Sequence, residues 1–144
     1  MERTEVNFYE QVEDELLKFA VIIAKIDDKL VFCKHKERDT YEIPGGHREE
    51  GEDIIDTAKR ELYEETGAID FSIDPICVYS VIAPWNFEGQ ETFGMLYFAN
   101  IYELEHELHN EIEKIVLVRE MLGEWTYPEI QPKLLEEAMR RGFL

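Results

Sequence analysis

Gly45-Gly46-His47-Arg48-Glu49-Glu50-Gly51-Glu52-Asp53-Ile54-Ile55-Asp56-Thr57-Ala58-Lys59-Arg60-Glu61-Leu62-Tyr63-Glu64-Glu65-Thr66-Gly67-Ala68 is the stretch around which the chain is organised. It opens as a glycine turn, runs through an acidic lead-in and becomes an amphipathic helix. Ile54, Ile55, Ala58 and Leu62 recur at helical spacing and form one apolar stripe. At about 100° per residue, Glu61 and Glu65 fall beside Ile54 on the helical wheel, with Glu64 next to them. Asp56, Lys59 and Tyr63 take the solvent side. Like charges at this spacing repel by roughly a few tenths of a kcal/mol per pair even when exposed. At the margin of a buried face they cost more, unless something positive sits among them. Oxygen-only donors so arranged suit a hard divalent cation, Mg²⁺ or Mn²⁺.

Gly46, Glu52, Arg60, Glu61, Leu62, Glu64, Glu65, Gly67 and Ala68 fill every fixed position of the pattern G-x5-E-x7-R-E-U-x-E-E-x-G-U, where U is an aliphatic-type residue. Here the sequence resembles the Nudix family, whose box this is, and Glu42-Ile43-Pro44-Gly45-Gly46 is similar to the usual approach to it. A fully matched pattern of this length is far more specific than a short glycine motif. The competing reading is a charged surface helix after a Pro-Gly-Gly turn. The box covers residues 46–68 only, although the strand order around it is compatible over most of the chain.

The resemblance implies an α/β/α sandwich built on a mixed sheet, and an enzyme that hydrolyses a diphosphate linkage in a nucleoside diphosphate derivative. It implies that Glu61, Glu64 and Glu65 are the principal metal-binding and water-activating carboxylates, with the Gly45 carbonyl as a further ligand. Arg60 and Glu52 would form an ion pair fixing the loop against the helix; Gly46 and Gly67 would serve backbone geometry, Gly67 as a helix C-cap. One more glutamate is expected from a late loop, and both Glu111 and Glu113 qualify. The general base would be Glu61 or that late glutamate. Water attack on a P–O–P bridge needs charge neutralisation, an in-line nucleophile and a stabilised leaving phosphate. Divalent ions supply all three, so clustered glutamates suffice without histidine or cysteine.

On the N-terminal side, Lys18-Phe19-Ala20-Val21-Ile22-Ile23-Ala24-Lys25-Ile26 is an apolar, β-branched run expected as a central buried strand. Residues 6–9 suggest a short edge strand; Asp27-Asp28-Lys29 is a turn, and Leu30-Val31-Phe32-Cys33-Lys34 the strand returning from it. His35-Lys36-Glu37-Arg38-Asp39-Thr40 is locally basic in a very acidic protein, so Lys34 and Arg38 are candidates to meet a phosphate or nucleotide. A solvated hairpin loop explains the same charges equally well. Tyr41-Glu42-Ile43 reads as a short strand ended by Pro44, and Gly45-Gly46 let the backbone come close to a metal or phosphate.

On the C-terminal side, residues 71–73 and 76–82 read as strand, and 83–91 as a loop punctuated by Pro84 and Gly89. Trp85 and Phe87 within it offer stacking surfaces for a base, or a plain hydrophobic cap over the core. Residues 92–102 form another strand, 103–113 an acidic, partly helical segment with solvated His106 and His109, and 115–118 a further strand. Residues 128–141 close the chain as an amphipathic helix using Leu134, Leu135 and Met139.

The 144 residues suffice for one domain over 1–144 with a sizeable core, and 44% hydrophobic with 12% aromatic residues suits a globular protein. A formal charge of −18 argues against duplex nucleic acid or an anionic membrane as partner, but not against a small phosphate substrate whose metal inverts the local field. Cys33 and Cys77 both sit in apolar runs and read as small buried residues. The acidic N-terminus lacks a signal-peptide pattern and no apolar run approaches a membrane span, so a cytoplasmic monomer or homodimer is expected. The flavour of the sequence is similar to the MutT-type branch of the family. That implies a Mg²⁺-dependent pyrophosphohydrolase of ordinary or oxidised nucleoside triphosphates, related members acting on RNA 5′ ends. Pro84, 16 residues beyond the box, keeps open an ADP-ribose or nucleotide-sugar pyrophosphatase. A catalytically silent nucleotide-binding domain is the third reading, which the intact Glu61, Glu64 and Glu65 disfavour.

Overall fold

The computed structural model describes residues 4–84, 89–105, 112–118 and 125–144, with side chains in 112–118 at 115–117 only. Its strands are β1 (Glu5–Tyr9), β2 (Leu17–Ile26), β3 (Lys29–His35), β4 (Gly45–His47), β5 (Ala68–Ile82), β6 (Thr92–Leu104) and β7 (Ile112–Val118). Helix α1 (Ile54–Thr66) follows β4, and α2 (Gln131–Arg140) follows β7. The strands make one mixed sheet in the order β1-β5-β6-β2-β3-β7, with β4 also paired to β2; β2 and β6 run parallel.

The central run shows why the sheet has two covered faces. Successive side chains of a strand point to opposite sides. Ala20, Ile22 and Ala24 pack with Ala58 and Leu62 of α1, whereas Ile23 and Val21 join Leu134, Leu135 and Ala138 of α2. Each face thus receives one helix, giving the expected α/β/α sandwich. Helix α1 ends where Gly67 adopts a left-handed φ of 80° and its N–H bonds the Tyr63 carbonyl, a conformation open to glycine at no Cβ cost.

Several expectations need correction. Gly45-Gly46 is not a turn: it forms β4, pairing antiparallel with Ala20 and Val21. Tyr41-Glu42-Ile43 contributes isolated bridges, Cys33 to Glu42 and Tyr41 to Trp125, rather than a strand. Residues 71–73 and 76–82 are one strand, β5, whose pairing with β6 slips at Pro75/Cys77. Pro75 is tolerated because β1 pairs with β5 only over residues 78–82, leaving that side of Pro75 an edge with no ladder bond to donate. Glu103 and Leu104 extend β6, and Ile112 begins β7, so the ends of the supposed helical segment are strand. His106 and His109 lie outside the described residues. Residues 128–130 form a turn before α2, and Met139 is exposed at 52% while Ala138 takes the buried position. Both cysteines are free and buried. Among the described residues no helix is long and apolar enough to cross a membrane.

Candidate active site

The last two turns of α1 pack against β4, and the absence of side chains on the glycines makes that approach close. A Cβ on Gly46 would lie 2.5 Å from the Glu61 carboxyl carbon; one on Gly45 would lie 2.5 Å from the Ala20 carbonyl oxygen. The Gly45 N–H donates to Glu65 Oε1 at 2.7 Å, so strand and helix are tied through a carboxylate.

Arg60 is the hub on the other side. It donates through Nε to Glu52 at 2.7 Å, through Nη1 to Glu61 at 2.7 Å and Glu64 at 3.3 Å, and through Nη2 to the His47 carbonyl at 2.9 Å. Glu52 also accepts from the Thr57 hydroxyl and the Glu49 N–H. Hydrogen bonding to Arg60 holds the Glu52 carboxyl down at about 2. Glu61 goes the other way, pushed up to about 7 by burial and then by the neighbouring Glu65 charge, against the pull of Arg60. One guanidinium does not neutralise this group of carboxylates.

A second network lies across β4. His35 at the end of β3 places Nε2 at 3.0 Å from Glu65 Oε2 and 3.3 Å from Glu42 Oε1. Arg38 donates to Glu42 Oε1 at 2.9 Å, and its guanidinium lies 5.9 Å over the Tyr127 ring. Burial raises the buried Glu42 carboxyl above its ordinary value, and the hydrogen bond with Glu65 raises His35.

These groups border two adjoining cavities. One, of about 670 Å³, is walled by Arg60, Glu61, Glu64, Glu65, His35 and Arg38. The other, of about 300 Å³, is more apolar, with Phe19, Tyr79, Val81, Ile130 and Leu134 among its walls. Glu42, Gly45, Gly46, His47 and Tyr127 belong to both and form the partition. At the smaller cavity Phe19 and His47 pack at a ring distance of 4.6 Å, and buried Gln131 accepts from the Ile43 N–H at 2.7 Å.

A model of the NUDIX domain family matches residues 16–139. The chain belongs to the Nudix family. Over 105 residues it is 31% identical to the "Putative 8-oxo-dGTP diphosphatase YtkD" of Bacillus subtilis (strain 168), a match over 72% of this chain and 62% of that protein's length. The crystal structure of the Bacillus subtilis pyrophosphohydrolase BsRppH superposes with a TM-score of 0.78 at 25% identity, covering 97% of this chain and 92% of that one. The NUDIX domain of Shewanella oneidensis NrtR, solved with ADP ribose, gives a TM-score of 0.65 at 17% identity over 87% of each chain, a likeness of fold alone.

Of the residues singled out in the sequence, Arg60, Glu61, Glu64 and Glu65 converge with Gly45 at the larger cavity, and Glu52 stands outside its wall, bonded to Arg60. Arg38 joins that wall; Lys34 does not line either cavity, and its amine reaches the His35 carbonyl at 3.4 Å. Trp85, Phe87 and Glu111 lie outside the described residues, as does the side chain of Glu113. The backbone of Ile112 pairs with His35, which sets the start of β7 beside the site. His35, Glu42, His47, Phe19, Tyr127 and Gln131 were missed as site residues. They share no spacing: the pairing of Phe19 with His47 across β2 and β4, and the docking of α2, bring them together. No sequence signal pairs Phe19 with His47 either, because the Gly45-Gly46 stretch reads as a turn and not as a strand.

In donor type and charge the box residues fit a hard cation: all oxygen, crowded and undercompensated, with Gly46 leaving room only for the Glu61 carboxyl. Among the described residues no three acidic, histidine or cysteine side chains already converge as a ligand cage. Glu61 and Glu64 are instead engaged by Arg60.

Proposed function

We propose that this Nudix protein, one domain over residues 1–144, is a Mg²⁺-dependent pyrophosphohydrolase of nucleoside triphosphates, ordinary or oxidised, that releases the monophosphate and pyrophosphate. The observation that carries this is the pair of cavities sharing one partition: a carboxylate-walled space beside an apolar one of about 300 Å³. A ligand with a charged, metal-loving end and a flat heteroaromatic end suits that pairing. The smaller space sits at the bottom of the range for small-molecule pockets, so it takes a base and not a whole nucleotide. The name of the 31% identical relative agrees.

Glu61, Glu64, Glu65 and the Gly45 carbonyl would hold Mg²⁺, or Mn²⁺ in its place. The bound ion would neutralise phosphate charge and lower the pKa of water. Arg60, braced by Glu52, fixes the carboxylates; Glu61 stands as general base, taking the proton of the attacking water as the bridging P–O bond breaks and pyrophosphate leaves. Arg38, in the wall of the larger cavity, would meet phosphate oxygens. Phe19, His47 and Tyr127 enclose the base.

The likeness to BsRppH supports a second reading, removal of pyrophosphate from an RNA 5′ end; the −18 charge disfavours long contacts with an RNA backbone. The deciding experiment is Mg²⁺-dependent hydrolysis of dGTP, 8-oxo-dGTP, ATP, ADP-ribose and a triphosphorylated RNA, with products identified. We expect a triphosphate to be preferred with pyrophosphate released, and Glu64→Gln to lose turnover while remaining folded. Preference for ADP-ribose, or equal turnover in Glu64→Gln, would overturn the proposal.

A further inference from the structure

His35 belongs to no Nudix-box position, yet it occupies the junction between the box and the segment before it. The pairing of β3 with β7 slips between Lys34 and His35, a local irregularity of the kind that re-aims a side chain at a strand end. The re-aimed imidazole faces two buried carboxylates: Glu65 Oε2 at 3.0 Å and Glu42 Oε1 at 3.3 Å. The other oxygen of Glu65 is held by the Gly45 N–H at 2.7 Å, and the same Glu42 oxygen that His35 meets also accepts from Arg38 at 2.9 Å. A continuous chain of contacts therefore runs Arg38–Glu42–His35–Glu65–Gly45, from the basic loop to the helix of the box.

We infer that His35 is a positioning residue for Glu65, clamping that carboxylate jointly with the Gly45 N–H so that it is ordered before a cation arrives. A glutamate carries three side-chain torsions, and fixing them in advance removes an ordering cost from metal capture. Each carboxylate oxygen has two lone pairs, so one contact per oxygen leaves Glu65 able to ligate. Partners that orient ligating carboxylates in this way typically account for about 10–100-fold in metal affinity. The inference rests on Glu65 being a cation ligand, and it adds a residue outside the box to that site.

The test is Mn²⁺ binding to the full chain without nucleotide, followed by the loss of the free-ion electron paramagnetic resonance signal, in wild type, His35→Ala and His35→Gln. Gln can present a donor near the position of Nε2. His35→Ala should weaken Mn²⁺ binding about 10-fold, His35→Gln should recover most of it, and the metal-free thermal midpoints should stay together. Should the alanine variant lose its fold, His35→Leu, similar in bulk but without a donor, replaces it against His35→Gln. Unchanged affinity in the donor-less variant would overturn the inference. So would tighter binding, which would make His35 a competitor of the cation. Failure of Gln to recover affinity would overturn it as well. If wild type itself binds no Mn²⁺, the cation reading of Glu61, Glu64 and Glu65 falls, a result distinct from wild type binding and His35 being irrelevant.

Discussion

Gly45 and Gly46 are neighbours in one short strand, but a methyl group would meet different things at each. At Gly45 it meets the Ala20 carbonyl at 2.5 Å and the Val21 Cα at 3.0 Å, both backbone of the central strand. At Gly46 it meets the carboxyl end of Glu61, which can swing away. Gly45→Ala should therefore destabilise the protein by about 1–3 kcal/mol, the usual range for overpacking. Gly46→Ala should unfold near the wild-type midpoint and yet lose turnover on the order of 100-fold, because the displaced carboxylate is one the proposed chemistry needs in place. Denaturant unfolding and steady-state kinetics on both variants check this; equal stability losses would show that the Glu61 carboxyl is not free to move. The contrast also marks what could be read in advance. Box residues lie close along one helix and its lead-in, so their convergence was legible. His35, Tyr127 and Gln131 come from separate elements, and only strand pairing and helix docking make them neighbours.

The two helices show how far periodicity carries. In α1 the stripe of Ala58 and Leu62 is fully buried, Glu65 is buried as its place on the wheel implied, and Gly67 stops the helix. Strand β5 is where local signals mislead: Pro75 reads as a break, while the observed edge position makes it compatible with pairing. In α2, Glu137 sits at 8% exposure, where the apolar pattern alone would not put a charge. It is paired there with Arg140 and, at 2.7 Å, with Arg141. Hydrogen bonding to Arg140 first, then burial opposing and Arg141 assisting, leaves its carboxyl at about 2 against an ordinary 4.5. A folded-state value below the unfolded one stabilises fully above the unfolded value and is lost as pH falls through the folded one. Glu137→Gln should thus cost about 1 kcal/mol at pH 7, and the gap to wild type should close as pH falls from 4.5 toward 2. Urea unfolding at a series of pH values measures it; a gap independent of pH would mean that the ion pairs contribute nothing.

At the scale of the whole molecule, a charge of −18 makes any cation stabilising, because screening relieves self-repulsion in the compact state. A specific Mg²⁺ site has to be separated from that background. Binding to the native state alone adds about 2.7 kcal/mol at a ligand concentration 100 times the dissociation constant, a rise of about 5–10 °C for a chain of this size. Sodium chloride at matched ionic strength supplies screening with little coordination. Glu64→Gln removes one negative charge out of a net 18 and leaves the screening response almost intact, while removing a proposed ligand. Wild type should therefore gain more from Mg²⁺ than from matched NaCl, and Glu64→Gln should respond to the two salts nearly alike. If wild type also responds equally, the carboxylates of α1 are a surface charge cluster, and the partitioned cavities must be explained without a metal. If Glu64→Gln keeps the full Mg²⁺ excess, the cation is held by other residues, and the ligand set among Glu61, Glu65 and the Gly45 carbonyl has to be drawn without it.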